Sequence, residues 1–445
     1  MDKSNLMTEG PIRRKLISFA LNVMIGSLFQ QLYNTVDSMI VGNFCGSNAL
    51  AAVSSAGNLV FLVIGFFIGI SVGSGVVISN FIGARNTEKV QLAVHSTVAL
   101  GLLFSVLLTV IGVLMAPPVL TLMKTPPSVL PESITYFRIY FAGATGFVMY
   151  NTFTGILRAA GDSRHPLYYL IFSSVINVIL DLVLIAGFGM GVGAAAFATA
   201  ISQLASAILA FIRLVRIDAD YRIDVRKIRF DARMTLRVLH YGFPSGLQNS
   251  VMSLSNVVIQ SFINTFGEYA MAGIGAYSKI EGFAFMPITS FAMAITTFVG
   301  QNIGAGEIER TKKGIRFGLG CTVISCIILG ALLMVFAAPL IRLFDSTPEV
   351  VAYGMGRAHV VSLLFFLCGC THFMAAVLRG AGKPMATLLV FLICWCVIRV
   401  VVILFFAPFF PTIYLSHWIY PITWAISTAT LFIIYRRTDL TKLHI

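Results

Sequence analysis

Apolar runs recur along the whole 445-residue chain, each long enough for the roughly 20 helical residues that cross the core of a bilayer. That pattern leaves few folds open. A backbone in lipid has no water to bond to, so it must satisfy itself as a helix or a closed barrel. The runs are continuous rather than alternating, which is the pattern of helices and not of barrel strands. Twelve spans are expected, at about 16–41, 51–81, 91–116, 134–157, 167–187, 193–212, 240–266, 271–303, 317–340, 353–378, 385–407 and 417–435. Charged residues make up 11% of the chain and mean hydropathy is +0.89, whereas a soluble domain carries about 25% charged residues. The first run follows Arg13, Arg14 and Lys15 but is too long for a signal peptide, so a retained span is expected.

The net charge of +13 reads as topology rather than as a nucleic-acid surface. With the amino terminus in the cytoplasm, 25 of the 31 basic residues fall on inner segments. Only Lys124 and Arg342 fall on outer loops, while Arg138, Lys279, Arg357 and Arg399 fall within spans or at their outer ends. The positive-inside rule then puts both termini in the cytoplasm. Of seven cysteines only Cys45 lies in an outer loop, so no disulfide framework is expected. Cys368/Cys370 and Cys394/Cys396 are two apart and cannot share a helix face, which makes them poor chelators and plausible packing residues. The histidines form no metal-spaced pair. Neither a resident metal nor a cofactor is expected.

The chain repeats itself. "NFIGARN" (80–86) resembles "QNIGAGE" (301–307), "LRAAG" (157–161) resembles "LRGAG" (378–382), and Gly46 and Ala49 pair with Gly267 and Ala270. All three matches share one offset of 221 residues. Six spans per half is an even number, so the halves run parallel, as in transporters whose repeats are related by an axis along the membrane normal. The expected organisation is an amino-terminal six-helix lobe (1–212), a basic cytoplasmic linker (213–238) and a carboxy-terminal six-helix lobe (239–445).

Charged groups inside a bilayer are expensive and mark function. The first half has Asp37 in span 1 and Asp181 in span 5. From the helical rise, Asp37, Asp181 and Thr199 of span 6 all fall roughly 6–9 Å from the outer face. Tyr33 and Asn177 stand one turn before the two acids, on the same helix faces. Two carboxylates with amide and hydroxyl oxygens make a hard-oxygen site for a small cation; alternatively the two acids share a proton. The second half differs. Along the repeat, Asp37 maps to Val258 and Tyr33 to Leu254. The next loop is shorter there, so the offset falls to 218 and Asp181 maps to Arg399. Span 8 adds Lys279 and Glu281, which point apart. Glu281 is expected to pair with Arg399 across helices. Gln30, Glu281, Arg399 and Lys279 are candidates for a substrate cavity.

"QQLYNTVDSMIVG", "YNTFTGILRAAGDSRHP", "INVILDLVLI", "GAAAFATAISQ" and "KIEGFAFMPI" together resemble the multidrug and toxic compound extrusion family, over nearly the whole chain. The resemblance is to its bacterial branch of damage-inducible and staphylococcal-type multidrug exporters. It implies an all-α membrane protein of two six-helix lobes in a V, in the bacterial cytoplasmic membrane. It also implies a monomer that exports organic cations in exchange for inward H+ or Na+ by alternating access. Family members hold the coupling cation with residues that match Asp37, Asn177, Asp181 and Thr199, and with a tyrosine that matches Tyr33. The family's other branch places acids in spans 7 and 10, and this chain has none mid-span there. The alternative is a lipid-intermediate or metabolite exporter of the same broader superfamily. No nucleophile–base pair or HExxH suggests an enzyme, and nothing resembles a channel filter.

Overall fold

The computed structural model describes residues 6–123 and 125–442, and among them all side chains except those of residues 47, 48, 50, 51, 54–59, 61, 62 and 254. Lys3, Lys124 and the Leu254 side chain, used above in the charge balance and the repeat, lie outside the described residues.

The first half runs α1 (Ile12–Phe44), α2 (Ser47–Gly83), α3 (Thr87–Leu122), α4 (Leu130–Ala142), α5 (Ala144–Ala159), α6 (Arg164–Asp181) and α7 (Gly193–Arg216). The second half runs α8 (Ala232–Asn264), α9 (Glu268–Gly304), α10 (Ile308–Arg342), α11 (Pro348–Leu363), α12 (Phe365–Gly380), α13 (Pro384–Phe391), α14 (Ile398–Phe406) and α15 (Tyr414–Arg436). Each of the twelve expected spans coincides with a helix or a broken pair. Among the described residues, nine helices are long and apolar enough to cross a bilayer, and ten when α11 and α12, bent by 53°, are taken as one. The other two are the broken pair α4–α5, with Arg138 in its first part, and α8, which carries Gln248, Asn249, Asn256 and Gln260. Polar residues dilute the hydropathy of both.

The repeat is written in the backbone. α9 and α12 begin and end 221 residues after α2 and α5. Span 4 breaks at Gly143 and span 10 at Leu364, again 221 apart. Left-handed residues recur at the same offset: Gly46 and Gly267 (φ 87° and 91°), Arg85 and Gly306 (54° and 74°), and Gly161 and Gly382 (87° and 80°). These are the sharp turns that end one helix and start the next, where glycine has no Cβ to clash. At Gly143 the need is packing instead, because an added Cβ would lie 2.2 Å from that of Ala200.

Among the described residues two compact units emerge, one of Leu6 and residues 25–243, the other of 7–24 and 244–442. Neither edge falls in the 213–238 stretch. The first half of α1 belongs to the second unit, where Leu16, Phe19 and Ala20 are buried in its core. The first part of α8 belongs to the first unit, where Gly242 meets α2 so closely that a Cβ on Gly73 would lie 2.3 Å from the Gly242 Cα and 2.4 Å from the Tyr241 carbonyl oxygen. Nor is 213–238 a free tether. Tyr221 and Ile223 are buried. His95 on α3 accepts from the Asp224 amide through Nε2 at 3.0 Å, its Nδ1 lying 2.6 Å from the Gln91 carbonyl.

The outer faces are those of a lipid-solvated protein. On α3, Leu103, Val106, Leu107, Val110, Ile111 and Leu114 are all exposed and recur at each helix turn along one side. An apolar stripe of this kind is unusual on a water-soluble monomer and ordinary against acyl chains.

Candidate functional site

In the first unit, α1 brings Tyr33 and Asp37 to one face, α6 brings Asn177 and Asp181, and α7 brings Thr199. The i, i+4 rule expected from sequence holds for each pair. Asp37, Asn177, Asp181 and Tyr33 are all buried. The Asp37 and Asp181 carboxyls come within hydrogen-bonding reach of one another. Such a bond exists only when one of them carries a proton, since two ionised carboxylates have no donor to offer. The Asn177 amide donates to the Thr199 hydroxyl at 3.4 Å, and that hydroxyl bonds back to the Ala195 carbonyl at 3.0 Å.

What remains is a surplus of acceptors. Asp37 Oδ1, Asn177 Oδ1 and both Asp181 carboxyl oxygens are buried without a hydrogen-bond donor. Buried polar atoms are normally satisfied, so four orphan oxygens in one place call for a proton or a small cation. Oxygen is the ligand type that hard cations prefer. Asp181 also closes α6 at the point where the backbone widens into a π-turn, Leu182–Gly187. Turns of this kind often mark functional sites.

One residue here carries no mark in the sequence analysis. Gln203 lies one turn beyond Thr199 on α7, and Gln203 and Gln30 both lie within hydrogen-bonding reach of the Tyr33 hydroxyl. The i, i+4 spacing that picked out Asn177 would also have picked out Gln203. Gln30, a candidate for a substrate cavity, lies in the first unit beside Tyr33, whereas Glu281 and Arg399 lie in the second.

The second unit carries a different site. A cavity of about 420 Å³ is lined by Glu281, Arg357, Trp395, Arg399, Tyr420 and Trp424, with apolar residues of α8 and α9 and the neutral polar side chains of Asn256, Gln260 and Ser278 among the rest of its wall. Two expectations need correction. The acid Glu281 approaches Arg357 at 3.8 Å rather than Arg399, because α11 and not α14 faces that side of α9. Lys279 does not line the cavity; two residues from Glu281, it points away, is exposed, and sits 5.4 Å over the Phe344 ring. Arg399 is buried, its guanidinium 4.4 Å from both the Trp395 and Tyr420 rings, and its Nε donates to the Thr423 hydroxyl at 3.0 Å. It follows a second π-turn, Leu392–Val397.

The repeat accounts for these residues. At the 218 offset Asn177 maps to Trp395 and Asp181 to Arg399. α15 starts 221 residues after α7, so Thr199 maps to Tyr420. Where the first lobe has amide, acid and hydroxyl, the second has indole, guanidinium and phenol. Asn177 and Asp181 foreshadow Trp395 and Arg399, again four apart. At the 221 offset Arg357 answers to Tyr136, a buried phenol of α4.

Replacing Glu281 with Gln is expected to leave Arg357 buried beside no counter-charge, costing about 3 kcal/mol or more. Lower yield and a lower thermal midpoint in detergent would follow, with ion dependence retained in the protein that survives. A wild-type midpoint would mean that Arg357 is neutralised elsewhere.

The MatE family model matches residues 23–183 and 244–405. A "Probable multidrug resistance protein YoeA" of Bacillus subtilis is 30% identical over 97% of this chain and 96% of its own. A "Probable multidrug resistance protein NorM" of Thermotoga maritima is 27% identical over 95% and 92%. A solved transporter of the MOP superfamily from Pyrococcus furiosus superposes with a TM-score of 0.91 at 24% identity, covering 98% of each chain. The two matched segments fall one in each six-span half and the relatives run nearly end to end, so the chain belongs to the multidrug and toxic compound extrusion family, whose members are multi-pass membrane transporters and not enzymes.

Proposed function

We propose that this multidrug efflux transporter is a secondary antiporter that exports small organic compounds by alternating access, driven by inward flow of H+ or Na+ through the first-lobe site. One observation carries the reading: the four donor-less oxygens of Asp37, Asn177 and Asp181. Either cation would relieve the surplus, a proton in part and Na+ more fully. A proton would close the Asp37–Asp181 hydrogen bond, and Na+ would be coordinated by the same atoms with the Thr199 hydroxyl. A cation bound from outside and released inside biases two conformations by its differential affinity for them. In the second lobe Asp181 is replaced by Arg399 and Asp37 by Val258, so one coupling site per chain is proposed.

The test is transport by reconstituted protein with pH and Na+ gradients imposed separately. Uptake or efflux driven by one of them supports antiport; transport indifferent to both would remove it. Organic-cation cargo rests on the family resemblance. A second reading, a metabolite exporter, is favoured by the charge of the second-lobe cavity.

Both termini are proposed to lie in the cytoplasm of a bacterial inner membrane, in a chain that acts as a monomer. In a background without native cysteines, Lys442→Cys is expected to resist membrane-impermeant thiol reagents in whole cells. Labelling from outside would invert the topology.

A further inference from the structure

The second-lobe cavity holds more positive charge than its own residues neutralise. Arg357 and Arg399 both line it, and Glu281 is its one acidic lining residue among those described. Arg357 and Arg399 are 4% and 1% exposed, so water does not offset the difference. The Glu281–Arg357 approach is loose at 3.8 Å, and Arg357 Nε and Nη1, Arg399 Nη2 and the Trp424 indole N–H are buried without an acceptor. This is the reverse of the first lobe, where acceptors lacked donors. Arginine does not shed its proton in a protein, so the surplus cannot be relieved by titration. It calls for an anion.

Shape and ring chemistry narrow that anion. The Arg399 guanidinium lies against Trp395 and Tyr420 at 4.4 Å each, and Arg357 lies 4.5 Å from the same Tyr420 ring. Stacking occupies the faces of a guanidinium and leaves its N–H edge, the edge that takes carboxylate or phosphate two oxygens at a time. Phe285, Trp424, Ile259 and Met252 add apolar wall. A cavity of about 150 Å³ holds a benzene ring, and this one is about 420 Å³, room for fused rings with an acidic group.

We infer that the second-lobe cavity is a substrate subsite for an aromatic group bearing a carboxylate or phosphate, held by Arg357 and Arg399 between the rings of Trp395, Tyr420 and Trp424. The inference rests on the exporter reading for its biological sense, but binding to purified protein needs no gradient, so either can fail alone. The probes are 2-naphthoate, 2-naphthyl phosphate, the neutral 2-naphthamide and the cationic 2-naphthylmethylamine, titrated by calorimetry into the full-length protein in neutral detergent. The naphthoate or the phosphate is expected to bind about tenfold or more tightly than the amide and the amine, and Arg399→Gln should remove that preference. A tighter phosphate points to phosphorylated cargo and a tighter naphthoate to carboxylates; both support the subsite. An amine that binds as tightly as the naphthoate overturns it, as does unchanged naphthoate affinity in folded Arg399→Gln. If Arg399→Gln does not fold, Glu281→Gln decides. Naphthoate should raise its thermal midpoint by more than it raises that of wild type, because the ligand replaces the lost carboxylate, and an equal or smaller rise overturns the proposal.

Discussion

Asp37→Asn and Asp181→Asn are each expected to reduce gradient-driven efflux to the rate of protein-free vesicles, while expression stays near wild type. Asparagine keeps the shape of aspartate and removes the charge that a cation neutralises. Its NH₂ group also brings donors to a place where four buried oxygens lack them. Folding is therefore spared even though the response to cations is lost. The double variant should be no worse than either single one, because both acids would serve one shared ion and coupled sites do not add. Wild-type efflux from either folded single variant would sink the coupling-site reading.

Gly73→Ala is expected to be the most damaging single methyl in the first unit. Its Cβ would fall 2.3 Å from the Gly242 Cα and 2.4 Å from the Tyr241 oxygen. Those are backbone atoms, which cannot rotate aside as a side chain can, so α2 and the start of α8 must separate. Overpacking costs about 1–3 kcal/mol and more where relaxation is blocked; here about 3 kcal/mol is expected. Gly320→Ala on α10 is the control, since nothing lies within 4 Å of its Cβ. Thermal midpoints in detergent compare the two. Equal midpoints would show that α2 and α8 shift at little cost.

The sequence made the spans legible because bilayer thickness fixes their length, and the repeat legible because turns at Gly46, Gly161 and their partners need special residues. Tyr33–Asp37 and Asn177–Asp181 could be read because one helix turn relates each pair. What could not be read depends on which helix faces which. Glu281 finds Arg357, more than seventy positions along the chain, and no periodicity announces that. Lys279 is near Glu281 in sequence, but a helix turns residues two apart onto different faces. Gln203 stands one helix turn beyond Thr199, so the same spacing marks it. The burial of Tyr221 and Ile223 was hidden by the charge around them.

The division of α1 and α8 between the two units bears on synthesis. Residues 7–24 are made long before the rest of their unit: the Met7 amide donates to the Gln301 side chain 294 positions later, and Leu16 and Phe19 share a core with residues of α9 to α15. The first unit is likewise incomplete until Phe243 has been made. Neither half of the gene therefore encodes a self-sufficient body. Cut within 213–238, each product would lack a stretch of helix that only the other supplies, and the two would have to be made together for either to mature.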